Sequence, residues 1–218
     1  MQLTMPEEIM LLLLDDRTGR PVGLPPPAAD YAVAGAILMD LSLSGHVDTD
    51  LERLMLTSSA PTGDAVLDEA LAMIAASSAT RDSRHWISEL GARGERLRGM
   101  LLDRLVAGGV LHAEEGRFLW VFPDRRYPKA AEDAAEVKEV RTRLREIILS
   151  ADIPDARDAL LIGLCRATGL VPLLLTPPEL EETVQRVDEI ADLEELNRSL
   201  SEVLSQLQAS MVAFTGLA

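Results

Sequence analysis

Apolar residues fall at helical spacing along most of the chain. Thr4 precedes Glu7 by three positions, with Pro6 between them. This is a capping-box pattern with a proline in the first turn, and it opens the apolar run to Leu14. Asp15-Asp16-Arg17-Thr18-Gly19 closes that helix as a turn, and the prolines within Gly23 to Pro27 exclude both helix and central strand. A second helix is expected from about Ala28 to Leu43, stopped by Gly45. Tyr31, Val33, Ala34, Ala36, Ile37, Leu38, Leu41 and Leu43 leave it almost no polar face, and a helix apolar on nearly all sides belongs at the centre of a fold.

His46 to Leu56 holds short alternating segments suited to a small ribbon. Val66, Leu67, Ala70, Leu71, Met73 and Ile74 then return to helical spacing. Trp86, Ile87 and Leu90 mark a short helix, and Leu97, Leu101, Leu102, Leu105 and Val106 a longer one ended by Gly108-Gly109. Val110-Leu111 and Phe118 to Phe122, joined through His112 to Arg117, read as a β-hairpin. A charged helix follows from about Ala130 to Leu149, an apolar one from about Asp155 to Ala167, and acidic amphipathic helices from Pro177 onward. No repeat and no linker interrupts this order. The expectation is therefore one mainly α domain over residues 1–218, a helical bundle around central apolar helices with a protruding β-hairpin near residues 110–123.

Composition alters this picture in two ways. Apolar residues make up 47% of the 218 but aromatics only 3%, so the core is aliphatic. The net charge of −15 argues against nucleic-acid binding, which needs a broad basic surface to neutralise phosphates. The charge is also uneven. Residues 179–218 carry −7, whereas residues 81–104 hold six arginines against four acids, a local excess of +2. No run approaches the roughly 18 apolar residues that a membrane-spanning helix requires. The acidic start and the lone Cys165, which has no disulfide partner, point to a cytoplasmic protein.

The residue types that chemistry needs are sparse. His46, His85 and His112 have no metal-ligand spacing, and no nucleophile elbow or phosphate loop is present, so neither a metal nor a cofactor is expected. Asp64 and Asp68 share a helix face and could serve as paired acids, but acids in a first turn more simply cap the helix and complement its dipole. No reaction is assigned, and the chain is read as a non-enzyme.

The segment Ala60-Pro61-Thr62-Gly63-Asp64-Ala65-Val66-Leu67-Asp68-Glu69-Ala70-Leu71 resembles the APTGDxxLDEAL segment of the Golgi phosphoprotein 3 family. Pro6 to Gly19, Gly35 to Gly45, His85-Trp86-Ile87, the Leu97 to Val106 helix ending in Gly109-Val110-Leu111, and the Phe118-Leu119 hairpin fall in the family's order. The resemblance implies an almost wholly helical domain with one hairpin. It also implies a peripheral membrane adaptor that binds phosphatidylinositol 4-phosphate and the cytoplasmic tails of glycosyltransferases. The arginine-rich make-up with only two lysines suggests a bacterial member.

In the family the headgroup is held by a Trp after the first helix, an Arg early in the second, and two arginines three residues apart on the helix before the hairpin. These positions fall here at Pro25, Ala34, Glu95 and Arg98, so only Arg98 is retained. Arg93 and Arg96 repeat the spacing in a shifted register. The candidate headgroup-binding residues are therefore Arg98, Arg96 and Arg93. Read structurally, they form a solvated face bridged to Glu89 or Glu95. The hairpin offers a second element: Trp120 and Phe122, followed by Arg125 and Arg126, suit an anionic bilayer interface. Alternatively, Phe118, Trp120 and Phe122 pack on the helical body or on another copy of the chain. Two functions follow as expectations. One is a peripheral adaptor binding anionic phospholipid and a protein partner. The other is a soluble scaffold that binds a protein through its acidic C-terminal helices and has lost phosphoinositide binding.

Overall fold

A computed structural model of the chain describes residues 3–15, 22, 26–50, 53–112, 114–118, 122–126, 134–193 and 196–199. In chain order the elements are α1 (Met5–Leu12), α2 (Pro26–Leu43), β1 (Val47–Thr49), β2 (Leu54–Leu56), α3 (Ala65–Ala75), α4 (Ser83–Gly91) and α5 (Gly94–Ala107). There follow β3 (Glu114–Phe118), β4 (Phe122–Arg126), α6 (Ala134–Leu149), α7 (Ala156–Ala167), a short 3-10 turn (Val171–Leu173) and α8 (Pro177–Ala191). The mainly α expectation holds.

α2 is the axis of the fold. It touches α1, α3, α4, α5 and α7, and Ala32, Val33, Ala34, Ala36, Ile37, Leu38, Met39 and Leu41 are all completely buried. Its alanines let neighbouring helices approach on every side, which is why the helix carries so little polar surface. Helix α1 is short and buried along its length. Its capping box forms as the sequence requires, with the Thr4 N–H donating to Glu7 Oε2 at 2.8 Å. Cys165 on α7 is a core thiol, and burial pushes its pKa up to about 12.

The ribbon expected within His46 to Leu56 is the antiparallel pair β1 and β2, with Val47 opposite Leu56. It follows a sharp stop at the end of α2, where Gly45 takes φ +72° and the His46 N–H bonds back to the Leu41 carbonyl at 2.8 Å. Only a residue without a Cβ adopts that turn freely.

The hairpin differs from expectation in its bounds. β3 and β4 pair antiparallel with Phe118 opposite Phe122, so the two phenylalanines stand on facing strands rather than along one. The intervening residues 119–121, Trp120 among them, lie outside the described residues. Val110 and Leu111 are not the first strand. Gly109, at φ +76°, ends α5 in a Schellman turn, in which the Val110 N–H bonds to the Leu105 carbonyl (2.9 Å) and the Gly109 N–H to the Val106 carbonyl (3.0 Å). That turn folds Val110 and Leu111 back into the core, where both are buried.

Buried charge ties the helices together. Glu8 in the first turn of α1 accepts from Arg143 of α6 (3.0 Å) and from Arg157 of α7 (2.9 Å). Arg157 also reaches Asp40 of α2 at 3.2 Å, and Arg143 reaches Asp158 of α7 at 2.9 Å. Asp40 in turn accepts the Met5 N–H at 2.8 Å. Burial raises the pKa of Glu8, Asp40 and Asp158 above the usual carboxylate range, and their arginine partners oppose the shift.

Candidate functional site

The arginines singled out from the sequence lie around the first turns of α5, whose position is fixed by close packing on α2. A Cβ placed on Gly94 would lie 2.2 Å from Asp30 Cβ, so the first residue of α5 sits directly against the N-terminal turns of α2. Arg93 and Arg96 are a little under one turn apart on this helix, whereas Arg96 and Arg98 are separated by about 200° around its axis.

The structure follows that geometry. Arg98 turns toward α2, where its Nε lies 2.6 Å from Asp30 Oδ1 with both side chains mostly buried. This contact is an ion pair without hydrogen-bond alignment. Burial raises the Asp30 carboxyl pKa; Arg98 opposes the shift and Glu95 adds to it.

Arg96 turns the other way, toward α3. Its Nε lies 2.9 and 3.2 Å from the two oxygens of Glu69, and its Nη2 lies 3.0 Å from Oε2. This is a forked contact, yet the Arg96 side chain remains 70% exposed. Arg93 Nη1 rests against the Met73 sulfur on the same side. Between α3 and α5 the surface opens into a cleft of about 720 Å³, lined by Glu69, Met73, Ala92, Arg93, Glu95 and Arg96 among others.

The structure therefore brings Arg93 and Arg96 together and sets Arg98 on another face. The arginines are also not bridged along their own helix. The partners of Arg96 and Arg98 come from α3 and α2, not from Glu89 or Glu95. No sequence spacing could have shown this, because Glu69 and Asp30 are 27 and 68 positions away from the arginines they meet. Of the other family positions, Ala34 is wholly buried inside α2, Glu95 lies on the rim of the cleft, and Pro25 is outside the described residues.

The Thr62 to Asp68 segment serves the architecture. Asp64 caps α3, accepting from the Val66 and Leu67 N–H groups at 2.8 and 3.2 Å. Asp68 accepts from the Thr62 N–H (2.6 Å) and hydroxyl (2.7 Å), which holds its carboxyl below the usual range. The outer carboxylate oxygen of Asp64 pairs with Arg104 of α5, which also reaches Glu7 of α1. Arg104 is a junction of three helices, and in the sequence only its place in the last turn of an amphipathic helix hints at it.

On the hairpin, the register places Phe122 opposite Phe118, Arg125 opposite Glu115 and Arg126 opposite Glu114. Among the described residues no helix is long and apolar enough to cross a membrane. A family model described as Golgi phosphoprotein 3 (GPP34) matches residues 5–208.

Proposed function

The chain belongs to the Golgi phosphoprotein 3 family, and on that premise we propose that it is a non-catalytic peripheral membrane adaptor that binds anionic phospholipid headgroups. The observation that carries this reading is the cleft between α3 and α5, where Arg93 and Arg96 stand side by side and exposed. Basic groups near an anionic bilayer gain about 1 kcal/mol each, an attraction that salt screens. The acidic α8, with Glu181, Glu182 and Glu189 exposed, is repelled by the same surface, so the charge distribution orients the molecule. α8 then faces away from the bilayer and is free to take a protein partner.

The lipid class in this reading is anionic phospholipid in general. Phosphatidylinositol 4-phosphate recognition needs several charge-assisted donors converging on one phosphate. Here Pro25, Ala34 and Glu95 stand where the family has donors or a Trp, and Arg98 faces Asp30. The hairpin that carries Trp120, Phe122, Arg125 and Arg126 supplies an interfacial anchor or a route to self-association. Liposome flotation over a series of lipid compositions tests the membrane reading. Retention on vesicles rich in anionic lipid is expected, and no binding to any anionic vesicle at low salt would sink it.

A second reading has its own support. Arg96 and Arg98 are already matched by Glu69 and Asp30, as in a scaffold that has given up lipid binding and keeps only a protein partner. Charge reversal at Arg93 and Arg96, the exposed pair of the cleft, separates the two, because the adaptor leaves the membrane while the scaffold retains its partner.

A further inference from the structure

The forked contact between Arg96 and Glu69 uses the same guanidinium edge that a phosphate would use. Two carboxylate oxygens meet Nε and Nη2 at 2.9 to 3.2 Å, and a phosphate presents two oxygens to an arginine in the same parallel manner. Glu69 and a lipid phosphate therefore cannot both occupy that edge. We propose that Glu69 is an internal competitor for the anion at Arg96, so that the α3–α5 cleft engages a phosphate-bearing bilayer only where the surface charge is dense enough to displace this carboxylate. The inference rests on the membrane reading above and names how that site is regulated.

Two features of the cleft support the exchange. Arg96 is 70% exposed against 22% for Glu69, and an ion pair whose cation is so open to water contributes little net stability, so this one yields readily to a competing anion. Arg93 lies beside it against the Met73 sulfur, a weak acceptor that a phosphate outcompetes. A surface bearing many phosphates thus gains two arginines at once for the loss of one partly exposed ion pair. The pair on the opposite face behaves differently. Arg98 and Asp30 are mostly buried, with Asp30 packed against Gly94, so water and lipid reach them less easily and they stay closed. The cleft then responds to charge density on the bilayer rather than to one headgroup.

The test uses the full chain and phosphatidylcholine vesicles containing a rising fraction of phosphatidylglycerol at low salt. Glu69→Gln is compared with wild type, with Arg96→Ala, and with Glu89→Gln, an exposed acid on α4 that makes the same change in net charge. Melting temperatures check that every variant is folded. Glu69→Gln is expected to bind up to about fivefold more tightly and to reach half-binding at a lower phosphatidylglycerol fraction. Adding Arg96→Ala should abolish that gain. An equal gain from Glu89→Gln, or no gain while Arg96→Ala still weakens binding, overturns the competitor role and leaves the membrane reading standing. Failure of both wild type and Glu69→Gln to bind at any composition overturns both. Release from vesicles by millimolar inorganic phosphate, at matched ionic strength, would show that a free anion fills the cleft and would overturn the bilayer as its ligand.

Discussion

Arg104 in the last turn of α5 lies 3.0 Å from Glu7 in the first turn of α1. The Glu7 side chain is completely buried, while that of Arg104 is about one-third exposed. The same guanidinium pairs with Asp64, the cap of α3. One arginine thus joins three helices that are far apart in sequence. Arg104→Ala leaves Glu7 as a buried acid without its cation, and truncating one partner of such a pair destabilises by about 2 to 4 kcal/mol once the exposure of Arg104 is taken into account. Urea unfolding monitored by circular dichroism measures this directly, and a midpoint equal to wild type would refute the junction.

Asp64 has two tasks, and two substitutions separate them. Asp64→Asn keeps a side-chain oxygen for the Val66 and Leu67 N–H groups and loses only the charge that meets Arg104. Asp64→Ala loses the cap as well, worth about 1 kcal/mol more. The expected order of stability is wild type, then Asn, then Ala. If Ala proves as stable as Asn, the capping role is wrong.

The buried carboxylates give the pH profile an unusual shape. Glu8, Asp40 and Asp158 have pKa values raised by burial, so the folded state binds protons more readily than the unfolded chain. Their contribution to stability is fully present below the unfolded carboxylate range and is lost as pH rises through the folded values. Asp68 and Glu179 act in the opposite sense. Asp68 is lowered by bonds to Thr62, and Glu179 falls to about 2 chiefly through Arg145. Their contribution is present above the usual carboxylate range and is lost as pH falls through the folded values. Stability should therefore peak in mildly acidic solution rather than at neutrality. Thermal melts from neutral to acidic pH check this, and Glu8→Gln should flatten the neutral side of the curve.

Gly94→Ala tests the packing of α5 on α2. Its new Cβ would meet Asp30 Cβ at 2.2 Å. Neither the helix start nor the side-chain root can yield without moving backbone. Overpacking of this kind is worth about 1 to 3 kcal/mol of lost stability. A variant with an unchanged melting temperature would place the two helices further apart than described.

Local signals were legible where local physics decides. The Thr4–Glu7 capping box, the Asp64 cap and the apolar α2 each follow from residue types within a turn or two of one another. Val110 and Leu111 look like strand residues, which sets the expected hairpin ahead of the observed β3 and β4. In the fold Val110 and Leu111 complete the Schellman turn that ends α5, and the preference for burying them against the helix prevails over strand propensity. The arginines of the candidate site were also legible as residues, but their directions were not.

By itself, the sequence determined a mainly helical chain with an aliphatic core around α2, because hydrophobic period, caps and turn residues act over a few positions, and its Ala60 to Leu71 segment carried the family resemblance. Only the tertiary structure decided that Arg96 meets Glu69, that Arg98 meets Asp30, and that Glu7 and Glu8 are buried with arginines from three other helices. Those pairings depend on which helix faces are brought together by packing. An ion pair forms between whichever charges the packed helices place within reach, and sequence separation plays no part in that choice.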